Sequence, residues 1–301
     1  MREGPWVLTN CVPINLLCVV LVRRESKMMD AGTDYAQRLL EVIMAPGVRA
    51  KAELLESLPM VEEGWSWQVP ALPQRPGREA EVREGRPPRR RRGLHHALAR
   101  AQFLHAIWHI ECSAIDLAIT CSLHGPVMPP AFHHQHIQVA REEAEHARMV
   151  AELLQAMGRP PGHDPVHHRL WDAALACRDL GDHLVVIPRF LEARGLDVNA
   201  DVLPRLRDHD AAAHAVLERI YLDELGHVGI GTHWHRVWCD ERRIDPEQHF
   251  HAVLQHHGLL RFPHPAPLDY AGRRRVGFSE QELIGLDPVQ YRAVHAKGPA
   301  V

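Results

Sequence analysis

The sequence has few of the features that mark several large classes of protein. Its six cysteines form no C-x-x-C pair, so neither a paired-cysteine zinc site nor a redox dithiol is expected, and a disulfide framework is disfavoured. The net charge of −3 creates no strong field toward nucleic acids or anionic membranes. We therefore expect a cytoplasmic globular protein that binds neither nucleic acid nor a membrane.

The apolar stretch near the start of the chain is too short for a conventional membrane span. It covers residues 7–22, whereas a transmembrane helix needs about 20 apolar residues. Two arginines follow the stretch, and no A-x-A cleavage pattern comes directly after it, unlike in a signal peptide. We interpret residues 1–27 as the product of an upstream start, with Met28 or Met29 as the natural first residue. An interfacial anchor or a packed N-terminal piece are the alternatives.

The composition divides the remaining chain into four segments. Residues 28–69 predict an N-terminal helical segment, and the Pro- and Arg-rich residues 70–93 predict a linker on the surface. Residues 94–257 contain the long periodic stretches of the principal domain. Residues 258–301 form a Pro-rich tail, in which only a short helix at about 279–285 is expected.

Apolar residues recur at helical spacing throughout the principal domain. Pro188 lies inside the third stretch, where it removes a backbone hydrogen bond and should kink the helix. Gly195 is expected to end that helix as a C-terminal cap. The predicted helices cover about 94–123, 131–157, 170–194 and 209–240, with a short connecting helix at about 201–207.

One metal-ligand pattern occurs twice in this domain. A single Glu-x-x-His pair has little weight in a chain with 24 histidines. Here, however, each pair follows a helical glutamate after the same interval of 32 residues, so that two helical hairpins repeat with pseudo-twofold symmetry. The two copies are Glu111 with Glu143-Ala-Glu-His146, and Glu192 with Glu224-Leu-Gly-His227.

The repeated pattern predicts a dinuclear metal site in an all-α, ferritin-like four-helix bundle. Residues three apart on a helix share a face, so each Glu-x-x-His pair can bind one metal ion side by side. Glu111 and Glu192 could then bridge or cap the two ions. Carboxylate oxygens with one imidazole per ion suit two iron ions, or manganese or a mixed pair.

Further polar residues lie close to this pattern. Glu142 and Asp223 each precede a ligand histidine by one turn, and we expect them to accept its free imidazole N–H; the alternative is a solvated carboxylate. Tyr221 is a candidate catalytic residue that lines the cavity, or else a core tyrosine with a satisfied hydroxyl. Arg189 is expected in an ion pair, with neutralisation of an anionic substrate as the alternative.

Several stretches carry a resemblance to a known family. From about Leu94 to Gln255 the chain resembles a bacterial ferritin-like family known as domain of unknown function 455. The resemblance implies a ferritin-like fold with a di-metal centre on the six residues of the repeated pattern. The stretches are FLHAIWHIECSAIDLA, REEAEHARM, LVVIPRFLEARGLDV, LERIYLDELGHVGIGTHWHRVWC and, in the tail, PLDYAGRRRVGFSEQEL.

The leading functional hypothesis is an oxygen-dependent di-iron oxidase or oxygenase. Its partners would be dioxygen, a small or tethered organic substrate and an external electron donor, and a homodimer is left open. One alternative is iron handling or peroxide scavenging. A second is an enzyme like the tRNA hydroxylases, in which the run Arg89 to Arg92 would hold RNA, although a solvated arm is the simpler interpretation. A third is a non-catalytic bundle that metal ions stabilise.

Overall fold

Helices form nearly all the regular structure of this protein. The structure is a computed structural model that describes residues 14–86, 93–261, 264 and 266–290, and the side chains of these from residue 28 onward. Within this part of the chain there is no strand, only an isolated bridge between Glu84 and Val166. The predicted all-α class is therefore confirmed. The apolar residues 7–22 and the run Arg89 to Arg92 lie outside the side chains that are described.

The helices are α1 (Ile14–Met44), α2 (Val48–Glu56), α3 (Ala97–Leu123), α4 (Pro130–Ala156), α5 (Arg169–Leu175), α6 (Leu180–Leu184), a π-helical segment (Val185–Glu192), α7 (Ala193–Leu206), α8 (Ala211–Glu241), α9 (Pro246–His256), a 3₁₀ turn (Leu259–Arg261), α10 (Tyr270–Arg275) and α11 (Glu280–Leu286).

Helix α3 is the central helix of the fold. It is buried nearly all around and pairs along its length with α4 through the short turn that follows Leu123. Among the described residues, α3 is the one helix whose length and composition would suit a membrane span, and 89% of its apolar window is buried inside the protein. Packing against other helices on all sides accounts for its apolar composition.

The prediction of a single, continuous third helix is wrong. Instead of one helix over 170–194, the chain forms α5, α6, the π-helical segment and α7 in succession. Pro188 lies within the π-helical segment, because a proline cannot donate the hydrogen bond that a regular α-helix requires. Gly231 of α8 makes room for it: a Cβ atom at Gly231 would lie 2.2 Å from the Cβ of Pro188.

Gly195 does not end a helix, contrary to the prediction. The chain continues as α7 to Leu206, so the short helix expected at about 201–207 is the end of α7. A Cβ atom at Gly195 would lie 3.8 Å from Oε1 of Glu224. A side chain at this position would thus make an ordinary van der Waals contact with a predicted metal ligand.

A buried carboxylate fastens the N-terminal part of the chain to α3. Asp116 is fully buried and accepts from two cations, Lys51 Nζ at 2.8 Å and Arg78 Nη1 at 2.6 Å. Lys51 also donates to the carbonyl oxygens of Val42 and Ile43 at the end of α1. The predicted linker therefore contributes Arg78 to the core. Burial of these charges is tolerable only because each has its partners.

The C-terminal tail covers the π-helical segment and α7 with buried ion pairs. Arg189 donates to Glu282 of α11 at 2.7 Å, which confirms the ion pair expected for this arginine. Arg273 of α10 donates to Asp197 of α7, also at 2.7 Å. All four side chains are at most 2% exposed. The described part of the tail, for which the sequence predicted only a short helix, thus contributes buried side chains to the core.

Removal of the Asp116 charge should destabilise the fold strongly. Asp116→Asn keeps the size of the side chain but leaves Lys51 and Arg78 buried without a counter-charge. We expect the free energy of unfolding to fall by about 3–5 kcal/mol, measured by urea denaturation. Asp34→Asn is the control, because the exposed pair of Asp34 with Arg38 contributes at most about 1 kcal/mol. Equal losses in the two variants would contradict the anchoring role.

Candidate metal centre

Six polar side chains from four helical segments lie in one buried region. None of them is more than 8% exposed. They are the six residues of the repeated sequence pattern, so the structure brings all of the predicted ligands together. Their positions are Glu111 on α3, Glu143 and His146 on α4, Glu192 at the end of the π-helical segment, and Glu224 and His227 on α8.

One half of this cluster is compact enough to hold a metal ion. Glu111, Glu143, His146 and Glu224 each offer one ligand atom, and these atoms all lie within 4.8 Å of one another. The Nδ1 atom of His146 is 3.4 Å from Oε2 of Glu111 and 3.4 Å from Oε2 of Glu143. The donors are carboxylate oxygens and an imidazole nitrogen, which suit iron or manganese.

The other half is built around His227. Its Nδ1 atom lies 2.8 Å from Oε1 of Glu143 and 3.9 Å from Oε2 of Glu224, and Glu192 lines the same cavity as His227. Glu143 therefore directs one carboxylate oxygen toward each histidine. A carboxylate in this position could be shared by two metal ions.

Unsatisfied atoms in the cluster fit a bound cation. Oε2 of Glu111 and Oε2 of Glu224 are buried and make no hydrogen bond. Oε1 of Glu143 and Nδ1 of His227 are also buried, and they face each other as an ion pair at 2.8 Å without the geometry of a hydrogen bond. Buried polar atoms without a partner are rare and destabilising. Because all four are potential metal ligands at one point, a cation would satisfy them together.

The pKa values show how strongly the cluster attracts positive charge. Burial raises the pKa of Glu111 and Glu192 to about 8, and the charge of Glu143 acts in the same direction. Burial alone would also raise the pKa of Glu143, but His227 and His146 hold it below its usual range. Burial opposes the charging of His146, yet its bonds to Glu111 and Glu143 raise its pKa to about 12. Without metal ions, protons supply the positive charge.

Two further carboxylates hold the outer nitrogens of the histidines. Nε2 of His146 lies 3.1 Å from Oδ2 of Asp223, and Nε2 of His227 lies 2.7 Å from Oε2 of Glu142. Each carboxylate thus holds the histidine of the other helix, so the pairing expected within one helix is wrong. The reason is geometric: with Nδ1 directed into the cluster, Nε2 points across to the neighbouring helix.

Tyr221 contacts the C-terminal tail. Its hydroxyl donates to Oδ2 of Asp269 at 2.6 Å, and Tyr221 is not among the residues that line the cavity beside the cluster. This geometry favours the alternative of a tyrosine with a satisfied hydroxyl. The catalytic role of Tyr221 stays a prediction.

A small cavity lies beside the cluster, toward the α3–α4 turn. It holds about one water molecule. His136 lines this cavity but was not among the predicted site residues. Its position seven residues before Glu143, or about two helical turns, places both residues on the same face of α4. The lining residues are Ala118, Cys121, His136, Val139, Ile187, Pro188, Glu192, His227 and Ile230.

A second group of potential ligands, His235, Cys239 and His249, also lies close together. Arg189 donates to Nδ1 of His235 at 2.9 Å, and Nε2 of His235 is 2.9 Å from Nδ1 of His249. A neutral imidazole has one lone pair, so Nε2 of His235 must carry the proton and donate it to His249. The group is therefore a hydrogen-bonded chain beside a buried guanidinium, which disfavours a cation.

The fold and this cluster define an all-α protein with a buried carboxylate–histidine centre. Residues 48–284 match the family described as a protein of unknown function, DUF455, and the chain belongs to this family. The resemblance to that family is thereby confirmed, while its ferritin-like character stays a prediction.

One relative of the chain is an uncharacterized protein of Haemophilus influenzae. It is 34% identical over 194 residues, which are 61% of this chain and 66% of the relative. The chain thus spans slightly less than two thirds of the length of that relative. No solved structure matches the chain.

The metal-free protein should lose stability as the pH rises from about 7 to about 9. The folded-state pKa of Glu111 and Glu192 lies at about 8, above the ordinary value of 4.5, so their stabilising protons are lost as the pH rises through 8. The pKa of His146 is likewise raised above its ordinary value of 6.5, so its contribution to stability is also lost as the pH rises. Urea denaturation with a chelator at both pH values measures the effect.

Glu111→Gln is the matched variant for this measurement, because it removes one of the titrating groups and keeps the side-chain shape. The dependence on pH should be weaker in this variant than in the wild type. A stability that is constant or increases between the two pH values would contradict the charge balance described for the cluster.

Proposed function

We propose that the cluster binds two iron or manganese ions in a ferritin-like four-helix core, and that the protein is an oxygen-dependent oxidoreductase. The observation that carries this proposal is the position of Glu143, fully buried between two imidazoles whose Nδ1 atoms both point inward. A carboxylate with one oxygen toward each of two histidine ligands is what a pair of metal ions requires.

The charge of the cluster supports two ions over one. Four buried carboxylates carry four negative charges when all are ionised, and two divalent cations balance them. A single ion would leave half of this charge to be neutralised by protons. Because hydrogen bonds do not satisfy the inward atoms, a second cation is the simplest way to compensate the remaining carboxylates.

The residues divide between the two ions by position. Glu111 and His146 would hold one ion, and Glu192 and His227 the other. Glu143 would be shared because it faces both histidines. Glu224 would also be shared, since it lies with the first group and near His227. When bound in the reduced state, such a pair supplies two electrons for the reduction of dioxygen.

The surrounding residues fix the protonation and the orientation of the two histidine ligands. Glu142 and Asp223 accept the Nε2–H groups of His227 and His146, which keeps the lone pair of each imidazole on Nδ1, the inward nitrogen. The apolar walls of the cavity exclude bulk water from the other side of the cluster. Electrons would come from an external donor, since the chain has no C-x-x-C site of its own.

Elemental analysis of the purified protein tests the dinuclear site. We expect about two iron or manganese ions per chain after growth with added metal, and a clear loss of metal in Glu192→Ala. Glu152→Ala is the control, because Glu152 is exposed on α4 and pairs only with Arg148. Wild-type protein that takes up no metal, even after anaerobic reconstitution with ferrous iron, would overturn the proposal.

Oxygen consumption by the ferrous protein separates the candidate functions. Turnover of dioxygen without deposition of ferric mineral supports an oxidoreductase, whereas mineral formation supports iron handling. A metal-dependent rise in melting temperature without any oxygen chemistry would show that the metals only stabilise the fold.

The crossed carboxylates provide a second, independent prediction. Asp223→Asn removes the acceptor charge at Nε2 of His146, although Asp223 does not lie among the ligands. We expect metal affinity, measured by competition with a chelator, to fall by about 10–100-fold. Glu145→Gln is the control, because Glu145 lies next to His146 in sequence but is exposed and pairs with Arg148. An unchanged affinity in Asp223→Asn would exclude this supporting role.

A further inference from the structure

His136 stands at the edge of the cavity with an unused acceptor. Its Nδ1 atom lies 2.9 Å from the carbonyl oxygen of Phe132. A carbonyl can only accept, so Nδ1 carries the proton and Nε2 carries the lone pair. Nε2 is buried without a hydrogen-bond partner, and the residue is only 4% exposed.

The imidazole of His136 is held in this neutral form and orientation. Burial lowers its pKa to about 4, so it does not become a donor near neutral pH. Its ring packs against Phe132 at 4.3 Å between centroids, and Phe132 packs in turn against Trp234. The Nε2 lone pair is therefore fixed on a side chain that lines the cavity.

The cavity is lined by His136 together with Glu192 and His227 of the cluster. Of the other lining residues only Cys121 carries a polar group, a thiol, and the rest are aliphatic. Since the space holds about one water molecule, an organic substrate does not fit. Dioxygen has no hydrogen to donate to Nε2.

We propose that this cavity binds a small neutral hydrogen-bond donor of two heavy atoms, of the class of hydrogen peroxide, and that His136 Nε2 accepts its hydrogen bond beside the metal ligands. His136 is in this sense a specificity-determining residue. The proposal rests on the proposed function for its purpose, because peroxide is the product when two electrons and two protons reduce dioxygen. Its test does not depend on metal binding.

The test uses the full chain without metal, labelled with ¹⁵N histidine, and hydrogen peroxide as the probe. The Nε2 resonance of His136 is identified by its absence from His136→Gln. We expect this Nε2 resonance to have the chemical shift of an unprotonated nitrogen. The shift should change as peroxide is added and should reach saturation. tert-Butyl hydroperoxide, which has the same O–O–H donor but is too large, should cause no change. Intact mass confirms that Cys121 is not oxidised.

Three variants test whether His136 acts as a hydrogen-bond acceptor or has only a structural role. Peroxide binding is followed through the resonance of His227, a labelled residue that lines the same cavity. His136→Leu should weaken peroxide binding by about fivefold or more, the usual effect of losing one hydrogen bond. His136→Gln retains an acceptor and should bind nearly as well as the wild type. His133→Gln is the control, because His133 is equally buried on α4 but does not line the cavity.

A protonated Nε2, or no saturable response to peroxide, would overturn the proposal and leave water as the only occupant. Equal binding by His136→Leu and the wild type would overturn it as well. Addition of ferrous iron to the same sample keeps the two proposals separate. Metal uptake without a peroxide response rejects only the cavity proposal, and a peroxide response without metal uptake rejects only the proposed function.

Discussion

The rest of the structure depends on the burial of four carboxylates and two imidazoles at one point. Ionised groups in a protein interior are strongly destabilising unless each has a partner. Glu143 meets this requirement most completely, because it lies between two histidines that hold its pKa low. The remaining glutamates have no such pair of neighbours, and burial together with the charge of Glu143 raises the pKa of Glu111 and Glu192. The cluster is therefore a site that binds positive charge.

The helices around the cluster are shaped by this requirement. The π-helical segment ends at Glu192, and Pro188 within it packs directly against Gly231 of α8. Farther from the cluster, Arg189 and Asp197 turn away from it and pair with residues of the tail. Arg189 and Asp197 thus have partners outside the cluster and do not pair with its carboxylates.

Much of the site could be predicted from the sequence, because its ligands follow local rules. The spacing of Glu143 and His146 places both on one helical face, and the repeat of the pattern identifies Glu192 and the second pair. These predictions needed only helix geometry. The position of Pro188 also predicted that its helix would be disturbed. The prediction was a kink, whereas the structure has a π-helical segment.

The features that could not be predicted depend on contacts between distant residues. Whether Asp223 holds His227 or His146 is decided by how α4 and α8 lie against each other, and no spacing within one helix contains that information. The same is true of Arg78, whose partner Asp116 lies in a different segment, and of Glu282 in the tail. A Pro- and Arg-rich composition indicates exposure on average, but one buried acceptor is enough to draw a single side chain inward.

The two sides of the cluster differ in their access to water, and this difference follows from the same contacts. Glu142 and Asp223, which hold the outer nitrogens of the histidines, are 36% and 20% exposed. Protons can therefore pass between the histidines and solvent through one carboxylate without opening of the fold. The opposite side faces the small apolar cavity, where His136 offers an acceptor but no exchangeable proton at its Nε2. The partly exposed carboxylates thus place a route for protons on the α4–α8 face, whereas the cavity side is lined mostly by buried aliphatic side chains.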